Sequence, residues 1–308
     1  MRALVTGGAG FIGSNLADAL LAAGHQVRVL DDLSTGYAEN IPEAAELVQG
    51  NVADESLVTE AMCDVDVVFH QAAHRAVLRS VVDPLATDTA NTHGTLTILQ
   101  AALKAGARRV VYASSSSVYG GSAEMPTPET ASQAPRSPYA VTKMAGEHYC
   151  RVFAELHGLE TVSLRYFNVF GPRQRPDSAY AAVIPLFIDA LHRGEPPTVH
   201  GDGGQSRDFT YVSDVVAANM AAAEAPARAC AGQSYNIANG ESFSLLEMLD
   251  MLGKLMGKQP SPVHAAPRAG DVYATRGDAA AAAEHLGWKP DVGFEDGLRR
   301  TIGWFTPK

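Results

Sequence analysis

The sequence predicts an α/β fold, a doubly wound parallel sheet with a smaller C-terminal lobe. Three observations predict it. Short apolar runs, "ALVT", "QVRVL", "ELVQG", "DVVFH", "RVVYAS" and "ETVSLRYF", alternate with amphipathic stretches through the first half, and such alternation implies parallel strands joined by right-handed helical crossovers. A glycine-rich turn follows the first run directly. After about Tyr166 the rhythm breaks: "NVFGPRQRPDSAY" is rich in Pro, Gly and Arg, and a helix-like "AAVIPLFIDALHRG" and strand-like "DFTYV" and "SYNIA" follow. Residues 1–166 are therefore expected to form the main domain, with returning segments near 207–240, and residues 167–308 mainly the second lobe.

Composition bounds the function. The 308 residues are 46% hydrophobic and 19% charged, as in ordinary globular proteins. Lys and Arg number 24 against 34 Asp and Glu, a formal charge of −10 with no basic run to offset it; a nucleic-acid groove, which draws its affinity from clustered cations, is not expected. Cys63, Cys150 and Cys230 are odd in number and widely spaced, so neither a disulfide framework nor a metal site is expected, only small buried thiols. No apolar run reaches membrane-spanning length, and "MRALVTGG" lacks a signal-peptide layout, so a soluble cytoplasmic protein is expected.

Taken in order, the first element carries the first chemistry. "ALVTGGAGFIGSNLADALLAAGHQVRVLDD" places Gly7, Gly10 and Gly13 at the turn between a strand and a helix, then a second strand ending at Asp31. Glycines there let the backbone approach a pyrophosphate seated at the helix N-terminus, with Phe11 and Ile12 in the same turn. Asp31 can accept hydrogen bonds from an adenosine ribose and would repel a 2′-phosphate, which favours NAD over NADP on a Rossmann-type sheet. A glycine triplet alone also occurs for structural reasons; here strand, triplet, helix, second strand and acid occur in register.

The fifth run ends in "YASSSSVYG", which puts hydroxyls at the carboxyl end of the sheet, where ligands of such sheets bind. Ser115, with Ser116 second, is the candidate to hydrogen-bond a reacting hydroxyl. "SPYAVTK" then reads as a helix start with Pro138 in its first turn, and Tyr139 and Lys143, four apart, share one helical face. A free tyrosine is a poor base at neutral pH, whereas a nearby ammonium and a positive nicotinamide ring favour its phenolate. Tyr139 can then take the proton of an alcohol as hydride leaves the same carbon, and Lys143 can hold the nicotinamide ribose. In isolation the pair would read as a half-buried Tyr beside a snorkelling Lys. Farther on, "QPSPVHAAPRAG" reads as a linker and "AAAAEHLG" as a short helix ended by Gly287. An acidic chain that collects Arg173, Arg175, Arg207 and Arg268 in its second lobe is expected to address an anion, with Arg173 and Arg175 the two better explained as surface charges.

These motifs, together with "DDLSTG", "HQAAHRAV", "ANTHGT", "LRYFNVFGPRQ", "GDGGQSRDFTYVSD" and "PRAGD", give the chain a resemblance over essentially its whole length. It is similar to the extended short-chain dehydrogenase/reductases, specifically the nucleotide-sugar 4-epimerase branch related to UDP-galactose 4-epimerase. The resemblance implies that Asp31, Asp32 and Ser34 line the adenosine side, Asn51 and Val52 the adenine, and Ala72 and Ala73 the cofactor cleft. It implies that Arg75 neutralises the cofactor pyrophosphate and that Asn91 supports the site from the following helix. Family members commonly carry Asp where this chain has Asn51, whose amide oxygen can still accept from the adenine amino group.

For the substrate, the resemblance implies Arg207 and Arg268 on the diphosphate, Asp271 on the uridine ribose, Asn168 on the sugar or phosphate, and the "AAVIP" segment near uracil. Related decarboxylating and dehydrating enzymes place acids where Ser116 and Ser117 stand, so a simple 4-epimerase acting through a 4-keto intermediate is implied. Thr275 occupies the position that gates the sugar pocket; its small size would admit an N-acetyl group. UDP-glucose/UDP-galactose interconversion is favoured, with the N-acetylhexosamine pair also accepted. A UDP-glucuronate 4-epimerase stays open because "GPRQRPD" is similar to those enzymes, as do another NAD-dependent nucleotide-sugar epimerase or dehydratase and, remotely, a non-catalytic NAD-binding sensor. A homodimer is implied, formed by the helix containing Tyr139 and the one near residues 91–105.

Overall fold

The six apolar runs of the first half fold as strands in a computed structural model that describes residues 1–75, 77–121, 124–177, 182–267 and 272–306. They are β1 (Arg2–Thr6), β2 (Gln26–Asp31), β3 (Glu46–Gln49), β4 (Val67–His70), β5 (Arg109–Ser115) and β6 (Glu160–Tyr166). The second half adds β7 (Val169–Phe170), β8 (Thr198–His200), β9 (Ser206–Arg207), β10 (Thr210–Tyr211), β11 (Gln233–Ile237), β12 (Phe243–Ser244) and β13 (Val263–Ala265). Seven strands pair in parallel in the order β11-β6-β5-β4-β1-β2-β3. Strands β1, β4 and β5 are buried along nearly their whole length, because helices cover both sheet faces and alternation disappears.

The crossovers are α1 (Phe11–Ala22), α2 (Glu55–Ala61), then α3 (Val77–Val82), α4 (Pro84–Asp88) and α5 (Gly94–Ala105) before β5, and α6 (Pro138–His157) before β6. Helix α6 starts where the sequence says it should: the Ser137 hydroxyl accepts from the Ala140 N–H at 3.2 Å, Pro138 fills the first turn, and Gly158 ends it in the left-handed region. The strand order reverses between β1 and β4, so their carboxyl ends diverge and leave a crevice there.

Beyond β6 lie α7 (Val183–Arg193), α8 (Val212–Glu224), α9 (Ala227–Cys230), α10 (Leu245–Met256), α11 (Ala280–Leu286) and α12 (Phe294–Phe305). Their core is aromatic: Phe294 stacks on Phe209 at 5.0 Å between centroids and meets Phe170 edge-on at 5.4 Å. Helix α11 ends at left-handed Gly287, as "AAAAEHLG" predicts. Three local expectations are corrected. The Pro-rich "linker" contains β13, which pairs in parallel with β8, its Val263 N–H reaching the Pro197 carbonyl at 2.9 Å. "DFTYV" supplies only the two residues of β10, because α8 begins at Val212. Cys63 is exposed, and only Cys150 and Cys230 are buried. Among the described residues no helix is long and apolar enough to cross a membrane, and no cluster of His, Cys, Asp or Glu could hold a metal ion.

Candidate active site

The crevice is a cleft of about 590 Å³ running from the β1 turn to Arg207 and Thr275. Gly7, Gly10, Phe11, Ile12 and Gly13 form one end. Gly7 is left-handed at φ 70°, and a Cβ there would come within 2.7 Å of the Ala72 N; a Cβ on Gly13 would overlap the Gly7 carbonyl oxygen. The two glycines therefore let the turn close tightly enough to aim the start of α1 into the cleft. That helix has no side-chain cap and no acid in its first turn, so its free N–H groups and dipole offer an anion site. At the end of β2 the buried Asp31 carboxylate accepts from the Ala9 N–H at 2.9 Å and the Leu33 N–H at 2.8 Å. Burial raises its pKa while these two donors oppose the rise. A glycine cradle for a diphosphate beside an acid for a ribose fits NAD.

Asp32, Ser34, Asn51, Val52, Ala72, Ala73 and Arg75 also line the cleft. Asn51 is already engaged, donating to Asp32 at 3.0 Å and accepting from the Ala53 N–H at 2.9 Å, so an adenine would meet only its second lone pair. Asn91 does not line the cleft. It stands behind it, bonded to the His74 N–H at 2.7 Å, the His74 carbonyl at 3.2 Å and Thr142 at 2.9 Å, a support for the loop after β4 and for α6 rather than a cofactor contact.

Tyr139, Lys143, Ser115 and Ser116 meet in the middle of the cleft. Burial raises the Tyr139 phenol, while the Ser115 hydroxyl and then the Arg75 guanidinium favour its phenolate. Lys143 is 3% exposed; its Nζ donates to the Ala113 carbonyl at 2.7 Å and lies 4.9 Å from the Tyr112 ring centroid. Burial lowers its pKa to about 7. Ser115 also accepts from the Ser117 N–H at 3.2 Å, capping the 3₁₀ turn that follows β5. Beneath these groups His70 is wedged between Thr6 at 2.7 Å and Thr95 at 3.0 Å, and burial takes it down to about 3, so it is neutral at pH 7.

The far wall comes from the chain beyond β6. Asn168 donates to the Asp208 carbonyl at 3.2 Å and to Thr275 Oγ1 at 3.3 Å. The Asp208 carboxylate accepts the N–H groups of Asn239, Gly240 and Gly277 at 2.9–3.0 Å, pinning three segments behind that wall, and burial pushes it up to about 6. Arg207 lines both the cleft and an adjoining cavity of about 260 Å³, whose wall includes Asn168, Val183, Ile184, Phe187 and Phe209. Ala182 of "AAVIP" lines both as well. Arg268 and Asp271 lie outside the described residues. Arg173 and Arg175 are committed to carboxylates: Arg173 to Asp18 at 2.7 Å and Arg175 to Asp177, with Arg175 also stacked 4.1 Å from the Tyr37 ring centroid and bonded to the Thr35 carbonyl.

Among the cleft residues that the sequence does not single out, two form a network. Gln71 and Tyr166, at the carboxyl ends of β4 and β6, line the cleft and form a buried network with Asn219, whose amide donates to the Tyr166 hydroxyl at 2.8 Å. The rule that ligands bind beyond strand ends points at both.

The comparisons agree with this geometry. A UDP-glucose 4-epimerase of Mycolicibacterium smegmatis is 41% identical over 100% of this chain and 99% of its own length. The crystal structure of a UDP-glucose 4-epimerase with UDP-glucose from Thermotoga maritima superposes with a TM-score of 0.95 at 37% identity, over 99% of this chain and 98% of that one. A UDP-N-acetylglucosamine 4-epimerase from Methanobrevibacter ruminantium, in complex with UDP-N-acetylmuramic acid, does so with a TM-score of 0.94 at 37% identity, over 99% and 97%. With a family profile matching residues 3–238 and a cleft built for a dinucleotide, the chain belongs to the NAD dependent epimerase/dehydratase family.

Proposed function

We propose that the protein is a UDP-sugar 4-epimerase that interconverts UDP-glucose and UDP-galactose and also accepts the N-acetylhexosamine pair. The carrying observation is the turn beside Tyr139, which holds the hydroxyls of Ser116 and Ser117 and no carboxylate. A dehydratase or decarboxylase must move a second proton at C5 or C6, and nothing in that turn can take it; epimerisation at C4 needs only one proton acceptor and donor. NAD, held by the turn of Gly7, Gly10 and Gly13 and by Asp31, would supply the acceptor and donor of the C4 hydride. Tyr139 takes the O4 proton and later gives it back, and Ser115 holds O4 beside the phenol. Arg207, with Arg268, holds the diphosphate, Asp271 the uridine ribose, and the 260 Å³ cavity the base. The UDP stays fixed while the 4-keto hexose turns over to present its other face.

The likeness to both a UDP-glucose and a UDP-N-acetylglucosamine 4-epimerase supports the two-sugar range, as does the small Thr275 on the wall. Thr275→Tyr is expected to cut kcat/KM for UDP-N-acetylgalactosamine by at least about tenfold and that for UDP-galactose by less than about threefold, since a pocket discriminates steeply only against groups it cannot fit. In the segment "GPRQRPD", similar to that of the glucuronate epimerases, Arg175 is bound bidentately by Asp177 and does not line the cleft, which gives the uronate reading no support. The test is an assay of purified protein without added NAD on UDP-galactose, UDP-N-acetylgalactosamine and UDP-glucuronate, resolving the C4 epimers. Turnover of either of the first two is expected; turnover of the uronate alone, or of none, contradicts the reading.

The proposed assembly is a homodimer across α5 and α6. Helix α6 presents Val141, Val152 and Leu156, 47%, 38% and 73% exposed, and the adjoining α3 and α4 present Val82 and Leu85 at 78% and 81%. Leu156→Asp should convert a dimer to a monomer by light scattering, because a charge at an apolar interface is left unpaired; a monomeric parent protein would contradict the assembly.

A further inference from the structure

Glu147 stands one helical turn beyond Lys143 and two beyond Tyr139, so all three share a face of α6. It is 5% exposed, and its carboxylate accepts four hydrogen bonds. Ser114 Oγ and Arg165 Nε (2.9 Å) reach one oxygen; Gln133 Nε2 (2.6 Å) and Arg165 Nη2 (2.8 Å) reach the other. Arg165 is anchored in turn by the Tyr119 hydroxyl at 2.7 Å, which donates to Asn236 on β11 at 2.7 Å. A buried ion pair is a poor source of net stability, since apolar replacements are often as stable, so what this one holds in place matters more.

It holds the helix of Tyr139 against the strand of Ser115. Lys143 grips the Ala113 carbonyl, and one turn later Glu147 grips the Ser114 hydroxyl, so two consecutive residues of β5 are tied to two consecutive turns of α6. The next residue of β5 is Ser115. On the neighbouring strand Arg165 stands opposite Ser114, and Tyr166 of the cleft stands opposite Ser115.

It also shares a buried helical face with Lys143, one turn away. The groups around that ammonium are Cys150 and Glu147 on α6, the Tyr112 ring on β5, and His70 on β4, with Arg165 of β6 behind Glu147. Burial pushes the Cys150 thiol up to about 12, and His70 is neutral, which leaves the Glu147 carboxylate as the anion that opposes the cost of burying the charged lysine.

We propose that Glu147 is a positioning residue for the catalytic group: its carboxylate fixes α6 against the end of β5, setting Tyr139 against Ser115, and, one turn from Lys143 on the same buried helical face, it is a counter-charge that favours the ammonium form of that lysine. The catalytic half of this rests on the epimerase reading; the Lys143 half does not. Glu147→Gln is the test, with circular dichroism and bound NAD confirming the fold. Should the unpaired Arg165 prevent folding, Glu147→Gln/Arg165→Met removes both charges.

At neutral pH, kcat is expected to fall by about 10- to 100-fold with KM within about threefold, the signature of misplaced rather than unbound substrate. The alkaline limb of the kcat–pH profile should move down by about one unit or more. Ser114→Ala, which keeps the ion pair, should lower kcat without moving that limb. A wild-type kcat and pH profile in the Glu147 variants would overturn the proposal. Lys143 is also read without turnover, from the pH dependence of its acetylation by acetic anhydride followed by peptide mass spectrometry. A lower midpoint in the variant is expected, and an unchanged one overturns the counter-charge even if no UDP-sugar proves to be a substrate.

Discussion

Tyr139→Phe is expected to keep the fold and bound NAD and to lose about 100- to 10,000-fold in turnover, the usual span for removing a positioned acid–base group. The substitution deletes one oxygen and leaves the ring, so no cavity opens. What disappears is the phenol beside Ser115 and Arg75, the two groups that counter the burial of its charged form. Neither of the two titratable groups beside it can replace it: burial raises the Tyr166 hydroxyl, which is committed to Gln71 and Asn219, and the Lys143 amine is held by Ala113. Epimerisation rates measured with NAD content determined on the same preparation check this. A variant with wild-type turnover would reject Tyr139 as the base.

Gly13→Ala should abolish cofactor retention. A methyl at this position overlaps the Gly7 carbonyl oxygen and would come within 2.8 Å of the Gly7 carbonyl carbon and 2.9 Å of the Gly8 Cα. These are backbone atoms, so the turn must open, at a cost of about 1–3 kcal/mol typical of overpacking. Opening the turn swings the start of α1 away from the diphosphate seat. The variant should purify with less than about a tenth of the parent's bound NAD, since several N–H contacts are lost together. NAD released by acid and quantified by enzymatic cycling checks the result, and full occupancy would contradict the cradle.

Much of this was legible in the chain because it is local. The apolar runs of β1, β4, β5 and β6 are continuous because those strands are buried on both faces, whereas β3 at the sheet edge is mostly exposed, and "SPYAVTK" starts a helix because Ser137 caps it and Pro138 tolerates its first turn. What the sequence hides is pairing between distant segments. Val263–Ala265 of "QPSPVHAAPRAG" become a strand only because β8 is there to receive them. Which groups Asn91 supports, His74 in the loop after β4 and Thr142 on α6, is likewise set by segments far from it in the chain. The sequence points to the Lys143 ammonium and the nicotinamide ring as the charges that favour the Tyr139 phenolate; it gives no sign of Arg75, which comes from the loop after β4 and favours it too. Glu147 was visible at the right helical spacing, but its meaning depends on Ser114 and Arg165 arriving from two strands.

The most direct test of the proposed chemistry is conversion of UDP-galactose carrying deuterium at C4, by protein with no added NAD, followed by mass spectrometry and NMR of the product. UDP-glucose of unchanged mass, with the deuterium still at C4, is the expected result, because the atom removed from one face returns to the other without meeting solvent. Loss of the label to water, or a product lighter by one water, would contradict it.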